Sequence, residues 1–152
     1  MSRTRDALIV EIGDAMQAYH RSTRAFDDAV TRALGINPAD LRCLDALGHG
    51  AKSAGEISVA TGLSSAATTD LIDRLAREGF VRRLQDAADR RRVLVELTPP
   101  GRERVGRYYG PLAKEGTALF AGVPSEELTQ MRDWLIAARR LTDRQRERIG
   151  GR

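Results

Sequence analysis

At 152 residues the chain has room for one domain, and a 41% hydrophobic share can build a core beneath a surface that is 30% charged. Aromatic residues make up only 5%, which argues against base-stacking platforms of the RNA-binding kind, while a net charge of +4 hints at an anionic partner. The single cysteine excludes an intrachain disulfide.

The opening, "MSRTRDALIVEIGDAM", has an apolar run only from Ala7 to Val10, too short for a signal-peptide core. No later segment approaches the roughly 20 apolar residues of a membrane helix, so the expectation is a cytoplasmic protein with no membrane partner. From Ala7 to Leu34, Leu8, Ile12, Met16, Tyr19, Phe26, Val30 and Leu34 recur at a helical period, which predicts one long helix ended by Gly35. Asn37 and Pro38 then cap and open a short helix that turns Leu41, Leu44 and Leu47 inward and closes at Gly48. Cys43 lies on it, with the spacing of a small core residue.

"SAGE", Ser53 to Glu56, has the capping-box spacing and starts a third helix whose apolar positions are Ile57 and Ala60. Gly62 makes a turn, Leu63 plugs inward, and Ser64 caps a fourth helix that runs to about Glu78 with Leu71, Ile72 and Leu75 inward. Gly79 ends it. A strand begins at Phe80–Val81, and the alternating Val93 to Leu97 returns as its hairpin partner. Thr98 caps the next helix, with Pro99 in its first turn, and Pro111 should kink it. The last helix starts at Ser125 and carries Leu128, Met131, Leu135, Ala138 and Leu141, with Trp134 at the edge. That seam has no cover within the chain, so a second subunit is expected on it.

A short helix, a glycine turn and a second capped helix have helix-turn-helix spacing, and a hairpin directly after them is a wing. The fold class expected is therefore mainly α with a small β-hairpin wing. At the hairpin tip, "DAADRRR" holds three consecutive arginines, Arg90 to Arg92, which no buried strand would tolerate.

The run from Ser53 to Gly101 resembles the winged-helix core of the MarR family, regulators of the multiple-antibiotic-resistance type. The matching points are "ATGLS" at Ala60 to Ser64, "LIDRL" at Leu71 to Leu75 and "EGFVRR" at Glu78 to Arg83. They continue with "DRR" at Asp89 to Arg91 and "VLVELTPPG" at Val93 to Gly101. The hairpin motif is the more specific part, and the long first helix and two closing helices extend the likeness over nearly the whole chain. The resemblance implies a single domain over 1–152. Its winged helix-turn-helix lobe would occupy about 38–100, and dimerisation helices about 5–35 and 99–148.

By the same resemblance the protein is a homodimeric repressor binding palindromic double-stranded DNA. The recognition helix, about 64–78, enters the major groove and the wing, about 82–97, meets the minor groove. Binding is released by a small-molecule effector, an aromatic one among the options. The alternative is a winged-helix DNA-architectural or protein-interaction factor without an effector.

Candidate DNA contacts on the recognition helix are Ser64, Ser65, Ala66, Thr68, Thr69 and Asp70. Hydroxyls can bond base edges or phosphates, and Ala66 and the Thr69 methyl can touch a thymine methyl. Asp70 either accepts from a cytosine amino group or pairs with Arg74, four residues on. Arg74 and Arg77 are candidate phosphate contacts. Of Arg82 and Arg83, at least one is ordinary surface. In the wing, Asp89 corresponds to the aspartate that holds the loop, and Arg90, Arg91 and Arg92 to the basic tip that reaches minor groove or backbone. Ala88 stands where such proteins often carry a further arginine, which either lowers affinity or shifts the contact to Arg92.

Tyr19 and His20 on the first helix are candidates to line an effector pocket, or are plain helix surface. His20 and His49 have no ligand cluster near them, so no metal is expected, nor any cofactor. No nucleophile–base pairing or phosphate loop is present in the sequence, which argues against an enzyme.

Overall fold

Side-chain caps and glycines set the bounds of the first four helices. Residues 4–150 are described in the computed structural model. They form α1 (Arg5–Leu34), α2 (Pro38–Gly48), β1 (Lys52–Ser53), α3 (Ala54–Thr61), α4 (Ser65–Arg77), β2 (Val81–Gln85), β3 (Val93–Leu97), α5 (Pro99–Ala118) and α6 (Ser125–Gly150). Gly35 and Gly62 take left-handed backbone conformations at the ends of α1 and α3, which a side chain would disfavour. The Ser53/Glu56 capping box is formed as the spacing predicts. A second one opens α2, where Asn37 Oδ1 accepts from the Asp40 amide (2.9 Å) and Asp40 Oδ2 from the Asn37 amide (3.0 Å).

The chain divides into two compact units between Tyr108 and Tyr109. In the first, the core joins Cys43, Leu44 and Leu47 of α2, Ile57 of α3 and Leu71, Ile72 and Leu75 of α4. Phe80, Val81, Val95 and Leu97 complete it from the sheet side. Ala60 is exposed, not inward as its spacing from Ile57 suggested. α3 turns Thr61 into the core in its place, with the Thr61 hydroxyl bonded to the Ile57 carbonyl (2.8 Å). Among the described residues no buried side-chain polar atom lacks a partner.

The sheet has three antiparallel strands in the order β1-β3-β2, one more than the hairpin expected. β2 and β3 pair from Val81↔Leu97 to Gln85↔Val93, and Lys52 and Ser53 add the short third strand opposite Val95 and Leu94. Two residues are too few to show an alternating pattern, so β1 left no mark in the sequence. The start of α5 is fastened onto the residues that lead into β2. The Thr98 hydroxyl donates to Gly79 O (2.6 Å) and accepts from the Gly101 amide (3.0 Å). Gly101 lies so close that an added Cβ would meet Phe80 O at 2.1 Å. Arg104 stacks over the Phe80 ring, 3.7 Å from its centroid.

α5 continues through Pro111 as one helix, and the change of compact unit falls just before that residue. In the second unit α6 buries none of its residues. Met131, Trp134, Leu135 and Leu141 stand exposed along it, and Phe120, Leu128, Met131, Leu135 and Ile136 line an apolar groove of about 590 Å³. Among the described residues no helix is long and apolar enough to cross a membrane.

Cys43 is wholly buried, and burial together with the charge of Asp40 pushes its thiol from an ordinary 9.0 up to about 12. The thiol therefore stays protonated in the fold, and the stability this contributes below pH 9 is lost as pH rises from 9.0 towards about 12. A thiol reagent at pH 8 is expected to label Cys43 only as fast as the chain unfolds. Cys43→Ser should lower stability by roughly 1 kcal/mol in urea titration. Rapid labelling of the folded protein would contradict the burial.

Candidate nucleic-acid interface

α4 has two opposed faces, and its sequence sets them. The helical period puts Thr68, Leu71, Ile72 and Leu75 on one stripe and Ala66, Asp70, Asp73 and Arg77 on the opposite one. The first stripe is buried and the second is exposed. Ser64 caps the helix by accepting from the Ala67 amide (3.3 Å), and Ser65, Ala66 and Thr69 are exposed around its first turn. The Thr69 hydroxyl donates to Ser65 O at 3.1 Å.

Thr68 does not belong with them. It is 1% exposed, and its hydroxyl donates to Ser64 O (2.8 Å), so it has no surface to offer a ligand. Its place three and four residues before Leu71 and Ile72 was the available sequence signal. Arg74 is likewise reassigned. It pairs with the buried Asp40 of α2 rather than with Asp70, and so fastens α4 to α2 instead of standing free as a phosphate contact. Asp40 was not a sequence candidate, because a residue 34 positions away leaves no local pattern.

Further along, Asp73 pairs with Arg83 of β2 (2.6 Å), and Arg82 pairs with Glu96 across the strands (2.6 Å). Both wing-strand arginines are thus exposed yet neutralised. Asp70, Asp73, Arg74, Ala76, Arg77 and Arg83 line an open groove of about 560 Å³ along the outer side of α4. Arg77 is exposed, and its Nε is 3.4 Å from Asp73 O.

The wing tip is closed by two aspartates. Asp86 Oδ1 accepts from the Ala88 amide (2.9 Å) and Asp89 Oδ1 from the Arg91 amide (3.0 Å), while Asp86 N and Arg92 O close the loop at 2.9 Å. Arg92 is turned back from the tip. Its guanidinium lies 3.0 Å from Glu56 of α3 and 3.8 Å from Asp86, which corrects the expectation that it serves as a free groove-reaching arginine. Glu56 is held below the usual carboxylate range by the Ser53 amide and hydroxyl, and then by Arg92 and Lys52. Arg90 and Arg91 are exposed, and their guanidinium groups have no ion-pair partner among the described residues.

Tyr19 is 74% exposed on α1 and His20 is exposed beside it. Neighbouring helix positions point about 100° apart, so the two side chains leave the helix in different directions. Among the described residues no group of three or more His, Cys, Asp or Glu is arranged to hold a metal.

A family profile described as MarR family matches residues 34–92. YcgE of Bacillus subtilis (strain 168), an uncharacterized HTH-type transcriptional regulator, is 33% identical over 128 residues, covering 84% of this chain and 83% of its own. YetL of the same organism, an HTH-type transcriptional repressor, is 36% identical over 72 residues, covering 47% of this chain and 43% of its own. A MarR family protein from Bacillus stearothermophilus superposes with a TM-score of 0.65 at 19% identity, covering 93% of this chain and 99% of the other. Wild-type apo MarR from E. coli does so with a TM-score of 0.56 at 20% identity, covering 83% and 95%.

Removing Arg74 would leave the buried Asp40 carboxylate with only its capping bond. Arg74→Ala is therefore expected to lower stability by about 1–3 kcal/mol, against less than about 0.5 kcal/mol for Arg77→Ala on the open face. Urea denaturation of the two variants checks this, and equal effects would mean that the pair does not anchor α4.

Proposed function

The chain belongs to the MarR family of DNA-binding transcriptional regulators, and from that premise we propose that it is a homodimeric repressor of a palindromic operator, released by a small-molecule effector. The observation that carries the DNA-binding surface is the division of α4. One stripe is locked into the core by Thr68, Leu71, Ile72 and Leu75, and the other is open to solvent beside a wing whose tip presents Arg90 and Arg91 uncommitted. An exposed helix face suits the major groove, and two unpaired arginines on a short loop suit phosphate or the narrow minor groove.

Ser65, Ala66, Thr69, Asp70 and Arg77 are the α4 residues on this reading, with Ser64 as cap and Asp89 as the residue that sets the wing. Double-stranded DNA is bound without cofactor or metal, and the protein acts in the cytoplasm. An effector would act through α1, where Tyr19 and His20 are exposed.

The homodimer is supported by unpartnered apolar surface. α1 exposes Leu8, Ile9, Val10, Ile12 and Met16, and α6 exposes Met131, Trp134, Leu135 and Leu141. A second copy has the same surface, and a two-fold dimer would set two recognition helices on half-sites about one helical turn apart. Sedimentation at micromolar concentration is expected to give a dimer; a monomer would count against the operator geometry as well.

The decisive experiment is titration of the protein with operator and scrambled duplexes at several salt concentrations. Arg91→Ala is expected to weaken binding to every duplex by about 1–3 kcal/mol. The salt slope should fall by about one unit for each phosphate that the arginine neutralises in each subunit. If Arg90 and Arg91 can both become alanine with no change in affinity or slope, the tip is a solvated turn. Equal affinity for operator and scrambled DNA would indicate an architectural binder instead.

A further inference from the structure

Asp70 sits in the middle of the outward stripe of α4, between Ala66 one turn before and Arg77 two turns after. It is exposed, and the arginine that could neutralise it locally is engaged elsewhere: Arg74 is held by Asp40. The next carboxylate on the stripe, Asp73, has its own partner in Arg83 (2.6 Å). Among the described residues the Asp70 carboxylate has no hydrogen-bond or ion-pair partner. An unpaired negative charge on a face that approaches phosphates weakens binding to any DNA, so its contribution has to come from one base edge.

The geometry points to a cytosine reader: resting on the DNA-binding reading above, we propose that Asp70 selects one C·G pair in each half-site by accepting a hydrogen bond from the cytosine N4 amino group. The choice of base follows from the major-groove edges. Guanine presents N7 and O6, and thymine presents O4, all acceptors that repel a carboxylate. Adenine presents an amino donor beside the N7 acceptor, which suits the paired donor and acceptor of an amide. Cytosine alone offers a donor with no acceptor next to it. Ala66, a turn earlier on the same stripe, has no polar atom to compete for that amino group. Asp70 is thus a specificity-determining residue that costs affinity everywhere else.

The test is selection from a random duplex pool with the wild-type protein, Asp70→Asn and Asp70→Ala, followed by titration of the selected and scrambled sequences. Wild type should enrich sites with a fixed cytosine at one position of each half-site, and replacing that C·G pair should weaken binding by about 5- to 150-fold. Asp70→Asn should shift the preference at that position towards adenine, because an amide pairs with N6 and N7. Asp70→Ala should lose the preference there and bind scrambled duplex more tightly than wild type does. Thermal unfolding of all three checks that this exposed substitution leaves the fold intact. Enriched sites that are the same for all three proteins, with unchanged discrimination, overturn the inference and leave the DNA-binding reading standing. Failure of wild type to enrich any duplex overturns that reading, and the inference with it.

Discussion

The Asp40 carboxylate is buried, and one oxygen closes the capping box of α2 while the other holds Arg74 of α4. A carboxylate taken out of water is costly unless its lone pairs are satisfied. Here the cap and the guanidinium satisfy it, and they belong to different helices. The orientation of α4 against α2 is therefore set by a directional, charged contact in addition to the packing among Leu44, Leu47, Leu71 and Leu75. Close packing already limits rotation of the helix, and the charged contact adds to that limit, because losing it would leave the Asp40 carboxylate buried without its cation. What α4 shows to solvent depends on that constraint.

One consequence is a separation of the arginines into two kinds. Arg74, Arg82, Arg83 and Arg92 use their charge within the protein, on Asp40, Glu96, Asp73 and Glu56 with Asp86. The exposed pairs among these contribute little to stability, since screening and side-chain entropy offset most of the attraction. Their effect is positional. Arg83 ties the first wing strand to the last turns of α4, and Arg92 ties the base of the wing loop to the start of α3. Arg77, Arg90 and Arg91 remain available to an outside anion. A basic composition alone would have credited all seven with the same role.

The wing loop is held by equally few groups. Asp86 and Asp89 each accept an amide two residues on, so two short side chains replace the strand ladder where the hairpin turns. Asp86 also meets Arg92, which makes one carboxylate serve both the backbone and the charge balance. Polar residues at the tip thus keep a loop of mixed charge in a defined shape without a core beneath it.

The sequence by itself determined the elements whose chemistry is local. Helix starts at Asn37, Ser53 and Ser64, stops at Gly35 and Gly62, and the hairpin around residues 86–92 all rest on bonds spanning two to six positions, so the pattern of residues states them directly. The burial of Thr68 was legible in the same way, from its period with Leu71, Ile72 and Leu75, although a hydroxyl among candidate contacts drew it to the wrong face. Tertiary structure alone decided the partners of the long charged side chains. Arg74 can reach Asp70 one turn away, yet it takes Asp40, 34 residues distant, and Arg92 takes Glu56, 36 residues distant. The strand β1 and the exposure of Ala60 were settled there too. A long flexible cation has several acceptors within reach, and which it takes depends on which carboxylate the packed core has already removed from water.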